Sequence, residues 1–186
     1  MSSKYTEKIL VHKIQQDGDT DSFAILYDLY IQKIYRFTYL KLGNREEAED
    51  ITSEVFLKTW NYLISNKDQV IKSFSGLIYK IARNTLIDFY RQNSQTEISL
   101  EDLGEIKVDT KIIKSLDDKQ EVQRIFRTLQ KMKREYQEVI LFKYVEELST
   151  GEIAEILQKN TTNVRVTLYR AIKILKKLLE QKAGKA

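Results

Sequence analysis

The sequence predicts an all-α fold, made of two small helical domains joined by an acidic linker. Two observations favour this fold class. The chain of 186 residues contains no proline and only six glycines, whereas folds built from strands and tight turns need many turn residues. Apolar residues also recur every three or four positions through most of the chain, which is the spacing of amphipathic helices. With 42% hydrophobic and 31% charged residues, the chain has the balance of a protein that buries a core.

Charge and pattern divide the chain into three parts. We predict an N-terminal domain over residues 1–92, a flexible acidic linker over 93–118 and a C-terminal domain over 119–186. Their net charges are +1, −4 and +7. The basic C-terminal part favours a polyanionic partner, nucleic acid first. A solvated basic surface is the alternative that charge alone leaves open.

Four helices are predicted in the N-terminal domain. The last three have candidate caps: Thr20 or Asp21 for the second, Asn44 with Glu47 in a capping box for the third, and Ser73 for the fourth. Gly43 is expected to end the second helix. Between the last two helices, Ile64 to Lys72 are predicted to form a loop. The predicted ranges are about 4–16, 22–42, 44–62 and 73–91.

The C-terminal domain is predicted to hold four helices, of which the last two form a helix-turn-helix. Ser149 and Glu152 have capping-box spacing, and a three-residue turn, Gln158 to Asn160, follows a short apolar helix. Asn160 or Thr161 can cap the last helix, which is expected to end near Glu180. The second helix of the domain is marked by Val139, Ile140, Phe142 and Tyr144.

The last helix has two different faces. One is apolar, from Val164 to Leu179, and the other is polar and basic. In a helix-turn-helix the second helix enters the major groove and its N-terminal residues read bases. Arginine and asparagine can pair with purine edges, and an apolar side chain can touch a thymine methyl. A plain helical hairpin with a solvated face is the alternative. The candidate DNA-binding residues, on a motif of about 150–169, are Thr162, Asn163, Arg165, Val166, Tyr169, Arg170 and Lys173.

Four segments resemble one protein family. Residues 138–157 and 163–171 resemble the C-terminal domain of bacterial sigma factors of the extracytoplasmic-function type, which reads the −35 promoter element. Residues 44–60 resemble the polymerase-binding helix of that family, and residues 77–91 resemble its helix that melts and reads the −10 element. The resemblance covers about 20–91 and 119–180, in the family's order. It implies a sigma factor that binds RNA polymerase core and directs promoter-specific transcription initiation.

The resemblance also implies roles for single residues. For several apolar positions of the polymerase-binding helix, namely Val55, Phe56 and Trp60, simple core packing is the alternative. The residues implied in polymerase core binding are Ala48, Asp50, Glu54, Val55, Phe56 and Trp60. Those implied in binding −10 DNA are Lys72, Lys80, Arg83, Asn84 and Arg91.

The sequence departs from the family pattern at several places. Gln158 stands where a glycine is frequent in the turn, and Met132-Lys133-Arg134 stand where prolines are frequent. Leu77 replaces a common tryptophan, and Thr167 replaces a common basic residue. The resemblance further implies an anti-sigma factor as a partner, beside polymerase core and promoter DNA.

Other functional classes are disfavoured. Without cysteine there can be no disulfide and no thiolate zinc site. No apolar run reaches the roughly 18 residues of a membrane span, and no signal peptide is evident, so we expect a cytoplasmic protein. A lone His12 and the lack of a glycine-rich phosphate loop argue against an enzyme, a metal site or a cofactor. Two alternatives stay open: a dimeric helix-turn-helix regulator acting without polymerase core, and a helical interaction protein. A sigma factor is expected to be monomeric when free.

Overall fold

The computed structural model describes residues 3–93 and 119–183 of the chain. The chain divides into two compact units, one with residues 3–93 and the other with residues 119–183 of the described part. The described part of each unit is helical and contains no strand, in agreement with the predicted fold class. Nearly all of the predicted acidic linker, 93–118, lies outside the described residues, so the domain boundaries stay a prediction.

Eight α-helices are described, and every predicted helix is among them. No helix in the described ranges is long and apolar enough to cross a membrane. The largest differences in bounds are at the third helix and the last helix, each of which continues three residues past its predicted end. The first unit contains α1 (Ser3–Asp17), α2 (Thr20–Leu42), α3 (Arg45–Ser65) and α4 (Phe74–Asn93). The second contains α5 (Lys119–Leu129), α6 (Arg134–Ile140), a π-helical turn (Leu141–Val145), α7 (Thr150–Leu157) and α8 (Thr161–Ala183).

The cap of α2 corrects one prediction. The capping residue is Asp19, not Thr20 or Asp21, because the helix begins earlier than expected. The Asp19 carboxylate accepts hydrogen bonds from the Asp21 N–H at 3.2 Å and from the Ser22 hydroxyl at 2.6 Å. The Ser22 hydrogen bond is the main cause that lowers the pKa of Asp19. A lowered pKa means that this cap is fully present above the ordinary carboxyl pKa and weakens as the pH falls through the lowered value.

Asn44 and Ser73 are confirmed as caps, and of the capping box predicted for α3 the bond that Asn44 accepts is present. Asn44 accepts from the Glu47 N–H at 3.3 Å, and Ser73 Oγ accepts from the Gly76 N–H at 3.2 Å. At the end of α2, Gly43 has a φ of 71°. Glycine tolerates this left-handed conformation, so α2 can stop there and the chain can reverse into α3.

The core of the first unit is aliphatic and aromatic. The Phe37 and Tyr79 rings meet edge to face at 5.6 Å, and Tyr30 meets Phe74 at 5.1 Å. A polar contact between two helices lies within this core: the hydroxyls of Thr38 on α2 and Thr52 on α3 are 2.9 Å apart. Both are also bonded to backbone carbonyls, so their burial leaves no polar group unsatisfied. Other fully buried side chains are Ile14, Leu26, Ile34, Val55, Leu63 and Ile78.

In the second unit, the π-helical turn changes which residues face the core. Tyr144 was predicted to mark the apolar face of its helix, but it is 59% exposed. The Glu146 N–H bonds to the Leu141 carbonyl at 3.0 Å, which is an i to i+5 bond. A turn of this kind is wider than an α-helical turn, so the apolar spacing of 3.6 residues no longer holds at Tyr144. The fully buried side chains are Val139, Phe142, Ile153, Ile156, Val164 and Ala171.

Two leucines of α2 provide a test of this packing. We expect Leu26→Ala, which removes a fully buried side chain, to lower the free energy of unfolding of the first unit by about 2–5 kcal/mol. Leu29→Ala, on the exposed side of the same helix, should change it by less than about 0.5 kcal/mol. Urea titration followed by fluorescence of Trp60, the single tryptophan, reports this unit. Equal effects of the two variants would contradict the packing.

Candidate nucleic-acid and partner interfaces

Three side chains on the outward face of α3 suit contact with a partner protein. Asp50, Glu54 and Leu57 are exposed and lie four and three residues apart, so they share one face of the helix. Glu54 is within 2.7 Å of Lys58 Nζ. Leu57 is 61% exposed, which is unusual for a leucine on an otherwise charged face. The face therefore combines acidic groups with accessible apolar area.

The opposite face of α3 belongs to the core. Ala48, Val55 and Phe56 are buried, so a direct contact of these three with a partner is not available in this conformation. Val55 and Phe56 therefore pack in the core, which was the alternative to polymerase binding. Ala48 packs there as well. Trp60 is half-buried and packs edge to face on Phe23 with 5.0 Å between ring centroids. Of the apolar residues implied in polymerase binding, only Trp60 keeps an accessible edge.

The predicted −10 residues lie on α4 and on the loop before it. Because α3 extends to Ser65, the loop covers residues 66–73 and Ile64 belongs to the helix. Lys80, Asn84 and Arg91 form one exposed stripe along α4, and Lys72 is exposed on the loop. Arg83 is half-buried beside that stripe.

An exposed ion pair lies at the end of this stripe. The Asp88 carboxylate is 3.9 Å from the Arg91 guanidinium, three residues on. Both partners are more than half exposed, so the pair contributes little to stability and leaves Arg91 able to exchange Asp88 for a phosphate. Tyr79, on the same helix, is buried in the core of the unit.

The predicted capping box at the start of α7 is confirmed. The Ser149 N–H donates to the Glu152 carboxylate at 2.9 Å, and the Glu152 N–H donates to Ser149 Oγ at 3.2 Å. This reciprocal pair satisfies two N–H groups that the first helical turn leaves without partners. The first helix of the motif therefore starts at a fixed residue.

The turn between α7 and α8 keeps its tight form without glycine. Gln158 takes the left-handed conformation with a φ of 54°. The Lys159 N–H bonds to the Ala154 carbonyl at 2.9 Å, and the Lys159 ammonium pairs with Glu135 at the start of α6. Asn160, one of the two predicted caps, accepts from the Asn163 N–H at 2.7 Å. α7 ends at Leu157 and α8 begins at Thr161, so the predicted three-residue turn is present without a glycine.

Sequence reasoning did not find the Lys159–Glu135 pair. The two residues are 24 positions apart, so no helical spacing relates them. A lysine in a turn is ordinarily solvated, and nothing in the local sequence distinguishes this one.

All seven candidate −35 residues are exposed on α8. The apolar side of the helix is held in the core by Val164 and Ala171, both buried. Tyr169 is 70% exposed and Val166 is also accessible, so two apolar side chains project among polar ones. The exposed set consists of Thr162, Asn163, Arg165, Val166, Tyr169, Arg170 and Lys173. A capped turn followed by an outward basic helix defines a DNA-binding protein of the helix-turn-helix class.

Comparison with known proteins identifies the family. The chain matches Sigma-70 region 2 over residues 26–96 and Sigma-70 region 4 over residues 123–175. It is 32% identical over 188 residues to the ECF RNA polymerase sigma factor SigW of Bacillus subtilis (strain 168), covering 93% of this chain and 98% of that protein. It is 34% identical over 167 residues to the RNA polymerase sigma factor YlaC of the same organism, covering 84% and 91%.

Two solved structures have a similar fold. One is CnrH in complex with the cytosolic domain of CnrY, with a TM-score of 0.67 at 19% identity over 95% of this chain and 98% of that one. The other is the sigma factor RpoE in complex with the anti-sigma factor NepR from Bartonella quintana, with a TM-score of 0.65 at 15% identity over 85% and 96%. The chain belongs to the ECF RNA polymerase sigma factors. It is a polymerase-associated protein that directs promoter-specific initiation, and a regulator acting without polymerase is not favoured.

The conformation of Gln158 yields a prediction for the turn. Placing an L-residue in the left-handed region costs about 1–2 kcal/mol. Glycine avoids this cost, but it also gives the unfolded chain more conformational freedom, which offsets part of the gain in stability. We expect Gln158→Gly to stabilise the second unit by about 0.5–1 kcal/mol. Gln158→Val should destabilise it, because a β-branched residue fits this φ poorly. Thermal unfolding by far-UV circular dichroism measures both, with Trp60 fluorescence as a reference for the first unit. A stabilising valine would contradict the left-handed turn.

Proposed function

We propose that this sigma factor works through three surfaces: the outward face of α3 for polymerase core, loop 66–73 with α4 for the −10 element, and the outward face of α8 for the −35 element. The observation that carries the proposal is the exposure of all seven predicted residues on α8, directly after a capped tight turn. A helix held by its apolar side, with base-reading groups outward, is what major-groove docking requires.

The proposed polymerase surface consists of Asp50, Glu54 and Leu57, with the accessible edge of Trp60. Exposed carboxylates guide the encounter with a basic partner and set its orientation. Apolar and aromatic side chains supply most of the binding energy once water is excluded. The buried Val55 and Phe56 support this surface from behind, by fixing the rotation of α3.

The proposed −10 surface separates positioning from reading. Lys72, Lys80 and Arg91 suit phosphate contacts, which orient the protein but carry no sequence information. Asn84 lies on the same stripe and can bond a base edge. Holding an unpaired base outside the stack costs a few kcal/mol, so several contacts have to contribute together. The clustering of charge and amide on one stripe supports this division.

We also propose an inhibitory protein partner, a monomeric free state and action in the cytoplasm beside polymerase. Support for the partner comes from the solved complex of similar fold in which the sigma factor RpoE binds the anti-sigma factor NepR. The free state is tested by sedimentation: a single species near 22 kDa fits a sigma factor. A stable dimer fits a conventional regulator that reads a palindrome.

Removal of the acidic groups of α3 tests the polymerase surface. We expect Asp50→Ala with Glu54→Ala to weaken binding of core polymerase on the order of tenfold, mainly through slower association, and to reduce its salt dependence. The matched control is Asp17→Ala with Asp28→Ala, which removes the same charge from exposed positions of α1 and α2. Fluorescence anisotropy of labelled protein against core polymerase from the same host measures both. Equal losses in the two double variants would reject the assignment of this face.

Two residues of α8 test base reading against phosphate contact. We expect Arg165→Ala to cost about 1–3 kcal/mol and to relax the preference at one base pair. Lys173→Ala should weaken binding to every sequence alike and reduce the slope of log affinity against log salt by about 1. Holoenzyme binding to duplexes with single changes in the −35 element, at several salt concentrations, separates the two outcomes. Uniform weakening by Arg165→Ala would place this side chain on the phosphates instead.

A further inference from the structure

The C-terminal turn of α1 is bonded to the loop that precedes α4. The Gln15 side chain is only 5% exposed, and its amide nitrogen donates to the Asn66 carbonyl at 2.7 Å and to the Gln69 carbonyl at 3.0 Å. A glutamine amide has two N–H groups, and here both find an acceptor on the loop. Both N–H groups of the Gln15 side chain are therefore bonded to loop 66–73.

Further bonds surround this contact. The Gln16 amide donates to the Lys67 carbonyl at 3.2 Å, and the Lys67 ammonium donates back to the Gln16 carbonyl at 3.4 Å. From α3, the Tyr62 hydroxyl donates to the Gln69 side-chain oxygen at 2.7 Å. The first half of the loop is thus held from two helices.

These bonds join the loop to a helix that is distant in the sequence. Within the loop itself, the Asn66 carbonyl also accepts the Gln69 N–H at 3.2 Å. The contacts of Gln15 span 51 and 54 positions of the sequence, so they fix the loop relative to the body of the unit rather than only shaping it locally. A buried amide is tolerated only when its hydrogen bonds are made; moving the loop away would break both.

The pinned part of the loop lies next to a projecting part. Val70, which directly follows Gln69, is 83% exposed, and exposed Lys72 comes two residues later. The loop therefore has an anchored base at residues 66–69 and an accessible segment beyond it. Because the Val70 side chain is exposed, it contributes little to the stability of the fold. It is suited to contact with the face of a base or with a sugar.

We propose that Gln15 is a positioning residue for −10 recognition, which holds loop 66–73 in its DNA-binding conformation before DNA arrives. This inference rests on the proposed function of the loop. A loop that is already ordered pays less conformational entropy when it binds. Gln15 acts through the loop and touches no base, so its loss is expected to reduce both affinity and discrimination.

The test compares variants of the full chain in holoenzyme with core polymerase. The probe is a fluorescent single-stranded oligonucleotide that carries the non-template −10 sequence, together with versions changed at one base each. We expect Gln15→Met, which keeps the length but removes both donors, to weaken binding on the order of tenfold and to flatten the differences between the oligonucleotides. The control His12→Met, exposed on the same helix, should behave as wild type.

A second variant guards against a folding defect. Gln16 is exposed, so Gln16→Met removes one flanking bond without disturbing the core. It should shift discrimination in the same direction by roughly two- to threefold. Trp60 fluorescence and binding to a −35 duplex show that each variant is folded and that the second unit is unaffected. If folded Gln15→Met keeps the affinity and discrimination of wild type, the inference is overturned.

Direct loop variants separate this inference from the function on which it rests. Val70→Ser with Lys72→Ala changes the accessible segment itself. If this double variant loses discrimination while Gln15→Met does not, the loop reads the −10 element and only the positioning role of Gln15 fails. If the double variant binds every oligonucleotide as wild type does, the loop has no part in −10 recognition, and the proposed function of the loop fails together with the inference.

Discussion

The burial of one face of each long helix determines which side chains remain for recognition. In α3, Thr52, Val55 and Phe56 pack into the first unit, and the period of the helix then forces Asp50, Glu54 and Leu57 outward. In α8, burial of Val164 and Ala171 turns the candidate −35 residues outward in the same way. Removing apolar area from water is the main favourable term in folding. The burial of apolar area that stabilises the fold therefore also orients the recognition surfaces.

The packing of apolar faces does not determine where these helices begin and end. Local polar contacts determine those positions. Asp19 and Ser149 fix where α2 and α7 begin. The turn before α8 depends on an unfavourable conformation at Gln158, which the Lys159 backbone bond to Ala154 and the contact with Glu135 hold in place. An error of one residue at such a turn rotates the following helix by about 100°. It would move Arg165 and Val166 away from the groove.

The sequence predicted most of this architecture because its signals are local. Capping residues and apolar spacing lie within a few positions of each other, so the caps Asn44, Ser73 and Ser149 and the two faces of α8 could be read directly. Val55 and Phe56 could not be assigned, since an apolar residue on an amphipathic helix fits a core and an interface equally well. Burial in the folded unit separates the two possibilities.

Other features depend on contacts between distant residues or on irregular backbone. The π-helical turn turns Tyr144 outward although the apolar spacing continues through it. The bonds from Gln15 to loop 66–73 cross more than fifty positions, and no motif marks them. The predicted acidic linker falls on residues outside the described ranges.

The most direct measurement of the central claim is transcription by purified core polymerase from the same host, with and without the protein, on a library of randomised promoter fragments. We predict start sites that arise only with the protein and share two upstream sequence elements, one for each unit. It would be contradicted if no new start sites arose while the protein alone protected duplex DNA, because recognition would then not require polymerase.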